Sequence, residues 1–285
     1  MGISPVFVRF AEVGAFTSAF WRVGLSVPVL FLWAALAERG GDAPLLRRPE
    51  RAIVLAGLLF AGDLFFWHLS ILNTTIANAT LLATMAPVWV VLGSGLLIGE
   101  RVSSLTVGGL ALCLAGGAIL LGASYSLTPE RLDGDFYGVA TSVFFGSYFL
   151  AVRFARRTAS AARIMAWSTA VTAIALFIVA VAFEDRLLPE TLSGYAALAA
   201  LALFAHVGGQ GLLAYALGHL PAAFSSLVIF VEALVAALFG RLLLGEAVGL
   251  HQYVGGAAIL IGIYVARPRP EAAPVNEPSD ERSAP

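Results

Sequence analysis

GSYFLAVRFA, residues 146–155, restates GISPVFVRFA, residues 2–11, with Val-Arg-Phe-Ala closing both stretches and Arg9 and Arg153 lying 144 positions apart. Nearly the same displacement, 146 positions, carries LLIGE at 96–100 onto LLLGE at 242–246, Gly109 onto Gly255 and Gly116 onto Gly262. The chain therefore reads as a duplication of two halves with five segments each. Residues 1–123 form the first repeat, 124–135 an extracytoplasmic linker, 136–267 the second repeat and 268–285 a Pro-rich polar tail expected to be disordered. About ten apolar or small residues precede Gly146 within its helix, whereas only Met1 precedes Gly2. The first helix is thus expected to be truncated here, and full-length spans to number ten.

What surrounds the repeat is membrane-like. Of 285 residues 59% are hydrophobic and 12% charged, at a mean hydropathy of +0.88, where soluble domains carry roughly a quarter charged residues. A bilayer helix needs about 20 apolar residues. Stretches of that length recur at 14–38, 52–73, 75–98, 103–123, 136–156, 160–183, 194–218, 221–244 and 248–266. The fold class is an all-α membrane protein.

Arginine placement orients it, because cytoplasmic loops carry the basic excess. Arg39, Arg47, Arg48 and Arg51 occupy one loop and Arg153, Arg156, Arg157 and Arg163 another, while Glu130, Asp133 and Asp135, then Glu184, Asp185 and Glu190, fall in the intervening ones. Each half holds an odd number of spans, so the two enter the membrane in opposite senses, the inverted duplication common among secondary transporters. The tail following Arg267 lands inside, and a multi-pass inner (plasma) membrane location is expected.

Other classes find little support. A net charge of −1 without a dense basic block argues against nucleic acid as a partner. Cys113 is the single cysteine and reads as a packing residue. The N-terminus lacks the pattern of a cleaved signal. His68, His206, His219 and His251 lie in four segments with no ligand-spaced pair, so no metal is expected. Gly93-Ser94-Gly95 only faintly resembles an intramembrane serine protease, and no G-x-x-x-x-G-K-[ST] loop exists. Neither an enzyme nor a cofactor is expected.

The Gly2-to-Arg9 segment, Ala79-Thr80-Leu81-Leu82 ahead of Pro87, Gly99-Glu100, and Gly245-Glu246 with Gln252 and Gly255 resemble the EamA-type exporters of the drug/metabolite transporter superfamily. The overall character is similar to their aromatic amino-acid exporter branch. The resemblance implies that helices one, three, four, six, eight and nine surround a central cavity. One departure matters: the ninth helix has Glu232-Ala233 where the family commonly has Glu-Pro, which removes the proline that would kink it as Pro87 kinks the fourth.

An ionised side chain at the centre of a membrane helix costs roughly 2.5–3.5 kcal/mol, so each should face a cavity or a partner. At about 100° per residue Asp63, Trp67 and His68 form one broad face of the third helix. Arg22 is the alternative ion-pair partner for Asp63, and an interhelical hydrogen bond the alternative for His68. Glu232 lies midway along the ninth helix. Asn78, Met85 and Trp89 line up on the fourth; Tyr137, Thr141, Phe144 and Tyr148 form a stripe on the sixth; His206, Gln210 and Leu213 share a face of the eighth. Such walls suit a flat apolar solute with a polar end.

The expected substrate-binding set is Trp67, His68, Asn78, Met85, Trp89, Phe144, Tyr148, Gln210 and Glu232. Trp89, Tyr148, Trp67 and His68 would hold a ring, while Glu232, Asn78 and Gln210 meet amino and carboxylate groups; Asp63, Glu232 and Arg22 are the candidate charge or proton site. The expected function is export of small metabolites, foremost aromatic or other neutral amino acids, by alternating access. The alternative is proton-coupled export of lipophilic cationic drugs. Partners are then a small-molecule substrate and the lipid bilayer, with the protein a monomer or homodimer. Gly108, Gly109, Gly116, Gly117, Gly255, Gly256 and Gly262 are expected to form packing seams.

Overall fold

The structure is a computed structural model that describes residues 4–39, 49–122, 128–235, 238 and 249–268. The expectations for the truncated start at Met1–Ile3, for Arg241 and Gly245-Glu246, and for the tail from 269 onward lie outside the described residues, as does the side chain of Arg9. All regular structure among the described residues is helical. In chain order it comprises α1 (Ser4–Phe10), α2 (Ala15–Ala37), α3 (Arg51–Asn73), α4 (Asn78–Leu97), α5 (Ser104–Gly122), α6 (Leu132–Ala155), α7 (Ala161–Phe183), α8 (Leu192–Ala216), α9 (Ala222–Val235) and α10 (Leu250–Ala266). Six of these, α2, α3, α4, α6, α7 and α8, are long and apolar enough to cross a bilayer, and α5, α9 and α10 are shorter apolar helices. Large apolar side chains such as Leu32, Leu96 and Phe204 are exposed, as a lipid-facing surface requires. This is a multi-pass membrane protein.

Local chemistry sets the helix starts. Thr75, Ser160 and Thr191 each accept a hydrogen bond from the backbone N–H three residues on, at 3.0, 3.1 and 3.2 Å, satisfying donors that a helix leaves orphaned. The sixth helix begins at Leu132, four residues before the expected 136, following a 3-10 turn at Pro129–Arg131. Asp133 and Asp135 in its first turn favour the positive end of the helix dipole, so the helix extends beyond its apolar stretch.

Several helices are interrupted, and the interruptions aim side chains inward. Pro87 withholds an N–H, and α4 breaks between Ala83 and Ala86, just before it. The ninth helix breaks too, against the expectation drawn from Ala233. It turns at Val228–Ile229, where Val228, Ile229, Val231 and Glu232 donate to carbonyls three residues back at 2.9–3.3 Å. These tight turns bend the chain without proline. The middle of α8, Leu201–Gln210, is wound as a π-helix, a local widening that re-aims side chains and recurs at functional sites.

Contacts between the halves are exchanged in pairs. Gly109 packs on the carbonyl of Gly262, and Gly116 on that of Gly255, so α5 and α10 run antiparallel. A position in one repeat here meets not its own counterpart but the counterpart of its neighbour, the pattern that a two-fold relation imposes. The α2–α7 pair behaves alike. Glu184 accepts from Phe16 N and Thr17 N at the start of α2 (2.8 and 2.9 Å), while Glu38, 146 positions earlier, accepts from Ser160 Oγ at the start of α7 (2.7 Å). Buried apolar side chains of α2, α3, α6, α7 and α8 form the main core; Leu110, Cys113, Leu227, Phe230 and Ile259 join α5, α9 and α10 in a smaller one.

One tie is conformationally demanding. Glu12, between α1 and α2, has φ 56°, a left-handed geometry uncommon for a residue with a side chain. Thr191 holds it there, donating from N (3.1 Å) and Oγ1 (2.7 Å) to its carboxylate. The Thr191 hydroxyl draws the Glu12 carboxyl below its ordinary value of 4.5. A depressed carboxyl stabilises the fold above its unfolded value and loses that contribution as pH falls through the folded one. Glu12→Gln is therefore expected to lower the melting midpoint slightly at neutral pH and to match wild type in acid; differential scanning fluorimetry at the two pH values checks it.

Candidate binding cavity

A cavity of about 130 Å³ lies midway along the helices, between the two halves. That is smaller than the roughly 300–1,000 Å³ of most small-molecule sites, so the helices stand close around it in this conformation. Phe60, Asp63, Leu64 and Trp67 line it from α3, Thr80, Ala83 and Thr84 from α4, Thr141 and Phe145 from α6, Ile229, Glu232 and Ala233 from α9, with Ser4, Arg22 and Gln210 completing the wall. The α3 residues follow the i, i+3, i+4, i+7 spacing of a single helix face. Glu232 arrives at the wall through the tight turns that break α9.

The wall concentrates charge. Arg22 is 8% and Asp63 7% exposed, and Glu232 is partly buried. Arg22 lies within electrostatic reach of both carboxylates. Yet the ion pairs found within 4.0 Å among the described residues are Arg153–Glu100 and Arg186–Glu190, so the Arg22–Asp63 bridge anticipated as an alternative is not formed. The Arg22 Nε has no hydrogen-bond partner. Gln210, last residue of the π-wound segment, is held from behind: Tyr148 Oη donates to its Oε1 at 3.4 Å, leaving the amide N–H groups for the cavity.

Below the cavity the helices are plugged. Tyr148 packs against Phe60 (centroids 4.8 Å apart) and Phe145 (6.1 Å, stacked), and Phe145 meets Phe149 edge-on at 5.1 Å. Tyr148 and Phe149 are 2% and 0% exposed. Because α3 leaves the arginine-rich end at Arg51 and α6 approaches it, this aromatic layer separates the cavity from that end. Beyond it Glu100 clasps three helix ends. It pairs with Arg153 at the end of α6 and accepts from Ala222 N at the start of α9 (2.9 Å), while Arg153 donates to Leu217 O below α8 (2.7 Å).

Of the residues singled out from sequence, the structure gathers Arg22, Asp63, Trp67, Thr141, Gln210 and Glu232 on the cavity and sets most of the others elsewhere. The cavity-facing arc of α3 centres on Phe60 and Trp67, so His68 falls at its edge: it is buried, its Nδ1 2.6 Å from Leu64 O and its ring 6.2 Å from Phe16 of α2. Asn78 donates to Asp135 Oδ1 (3.0 Å), tying α4 to α6. Trp89 donates to Ser142 Oγ (2.9 Å), and Phe144 sits on Gly62 and Phe66. Met85 is the N-cap of the second segment of α4 and is not on the wall, and Tyr148 stands behind Gln210. These side chains pack helix on helix because the break before Pro87 ends the α4 stripe and α6 buries its own against α3 and α4. Phe60, Thr80, Thr84, Phe145 and Ile229 were not anticipated as wall residues; the i, i+3, i+7 relation of Phe60 to Asp63 and Trp67 was the available signal.

Comparison with known proteins places this arrangement. The model of the EamA-like transporter family matches residues 1–122 and 132–267. An uncharacterized transporter of Archaeoglobus fulgidus is 28% identical over 236 residues, 77% of each chain. The pseudopaline exporter CntI of Pseudomonas aeruginosa is 24% identical over 251 residues, 88% of this chain and 85% of that one. The aromatic amino acid exporter YddG of Ancylobacter novellus is 35% identical over 129 residues, covering 43% of this chain and 44% of the exporter. A solved crystal structure shares the fold with a TM-score of 0.82 at 23% identity, covering 93% of this chain and 91% of that one. With both halves matched and the helices built around one charged cavity, this chain belongs to the EamA-like transporter family.

Proposed function

We propose that this chain is a secondary transporter that exports small metabolites, foremost aromatic and other neutral amino acids, across the inner membrane by alternating access. The observation that carries this reading is the cavity: one buried cation, two carboxylates and an amide stand among Phe60, Trp67 and Phe145. Opposite charges on one wall fit a zwitterion, and aromatic faces fit its ring. The family match over two stretches of similar length and the paired contacts of α5 with α10 and α2 with α7 support ten spans arranged as two inverted five-helix repeats, divided near 123 and 136. Arginine placement supports a cytoplasmic arginine-rich end and C-terminus. The candidate binding set is Arg22, Asp63, Trp67, Gln210 and Glu232 with Phe60 and Phe145; Tyr148 positions Gln210.

Uptake of radiolabelled L-phenylalanine into proteoliposomes tests it. A hydrogen bond to a charged group contributes about 1.5–3 kcal/mol, so Glu232→Gln is expected to lower uptake at limiting substrate about tenfold or more, and Trp67→Ala several-fold. Wild-type rates for both would remove these residues from the site. Two carboxylates against one arginine favour a second reading, export of lipophilic cations coupled to proton entry. It predicts that such cations outcompete phenylalanine and that a pH gradient drives them.

A further inference from the structure

We propose, on the foundation of the amino-acid reading above, that Arg22 and Gln210 form a carboxylate-binding subsite, so that this transporter selects solutes bearing a free carboxylate over the corresponding amines. Arg22 is more than nine-tenths buried, stays charged at every physiological pH, and donates from its side chain to no described residue. An arginine so placed either makes ion pairs or faces a ligand. Its two carboxylate neighbours on the wall stand beyond 4.0 Å, so no described residue pairs with the planar fork that binds a carboxylate through two parallel N–H···O bonds.

The surroundings fix that fork in place. Ser26 Oγ donates to Arg22 O (2.7 Å) and to Ala202 O of α8 (3.2 Å), joining the backbone beneath Arg22 to the π-wound segment. The neighbouring Trp21 Nε1 donates to Leu187 O at 2.7 Å. The same π-wound segment ends at Gln210, whose Oε1 is taken by Tyr148, so its remaining groups are donors. Two donor side chains on facing helices thus converge on one cavity. The acceptors Asp63 and Glu232, on α3 and α9, suit an ammonium. A solute with one anionic and one cationic end lies across the two pairs.

The test measures dissociation constants of L-phenylalanine, 2-phenylethylamine and 3-phenylpropionate for the purified full-length protein by isothermal titration calorimetry. Wild type, Arg22→Gln and Arg22→Lys are compared after gel filtration verifies folding. Wild type is expected to prefer phenylalanine over phenylethylamine by about tenfold or more. Arg22→Gln should bring that ratio close to one with phenylethylamine little changed, and Arg22→Lys should retain part of it as a point charge without the fork. An unchanged ratio in either folded variant overturns the subsite, because a merely structural arginine would weaken both ligands alike. If instead 3-phenylpropionate binds wild type but not Arg22→Gln while phenylalanine binds neither, the carboxylate subsite stands and the amino-acid reading falls. Binding of phenylethylamine alone removes both.

Discussion

Replacing Glu100 by glutamine is expected to open the arginine-rich end of the molecule and to lower transport by more than an order of magnitude. Glu100 serves three chain ends at once: its carboxylate pairs with Arg153 and receives the N–H of Ala222, and Arg153 reaches on to Leu217 O. The side chains of Arg153 and Glu100 are 24% and 15% exposed, so removing one partner strands a largely buried charge. Breaking a fully buried pair costs about 3–5 kcal/mol; allowing for partial solvation, about 2 kcal/mol remains, a shift of about thirtyfold between closed and open forms. The reporter is Ala83→Cys, on the cavity wall, in a Cys113→Ser background. A membrane-impermeant maleimide applied from each side of oriented vesicles should label it from the arginine-rich side at least tenfold faster in Glu100→Gln. Equal labelling in both proteins would mean that the aromatic layer of Phe60, Tyr148 and Phe149 closes that end unaided.

The reason such a clasp matters is mechanical. A transporter must never open at both ends, and closure at one end must be weak enough to break in every cycle. The aromatic layer supplies packing without direction, whereas the Glu100 clasp joins the end of α4, the end of α6 and the start of α9, the segments that enclose the cavity. It also uses the second repeat's broken helix: Ala222 N is an orphan donor of the short segment Ala222–Leu227, so α9 is tied below its break while Glu232 is carried above it. Movement of that lower segment is therefore coupled to the position of a cavity carboxylate.

How much of this was legible beforehand depends on the kind of signal. Duplication, apolar spans and the family marks survive in a sequence because they are spread over many residues, and they led to an all-helical membrane protein of the correct family. Charged residues within the bilayer were equally telling, since Arg22, Asp63 and Glu232 have few physically tolerable environments, and all three reach the cavity. Beyond Thr141 and Gln210 the stripes misled, because helical periodicity reports which residues share a face but not what that face meets. Asn78, Trp89 and Phe144 share faces that α6 and α3 cover. Periodicity also fails across a break: the turn at Thr84–Met85 and the π-wound stretch of α8 shift the register by fractions of a turn, and neither leaves a mark in the apolar pattern. The break in α9, made by tight turns without proline, was invisible for the same reason.

Gly116→Leu is expected to be strongly destabilising. A Cβ at Gly116 would lie 2.6 Å from Gly255 O and 2.9 Å from the Ile259 backbone N and side chain. Backbone atoms cannot rotate away, so α5 and α10 must separate, and the small core of Leu110, Cys113 and Ile259 opens with them. Overpacking a dense interior costs typically 1–3 kcal/mol; a leucine wedged against backbone belongs at the upper end, about 3 kcal/mol, which corresponds to a fall in melting midpoint of roughly 6–12 °C. Gly108, two turns away on the same helix, supplies the control, because a Cβ there meets nothing within 4 Å. Gly108→Ala should therefore leave the midpoint unchanged or raise it, since alanine favours a helix over glycine by about 1 kcal/mol. Thermal unfolding of both variants in the same detergent separates the two positions. If Gly116→Leu melts with wild type, the glycine seam inside the protomer does not hold α5 against α10, and the paired contacts that relate the two halves lose their strongest physical support.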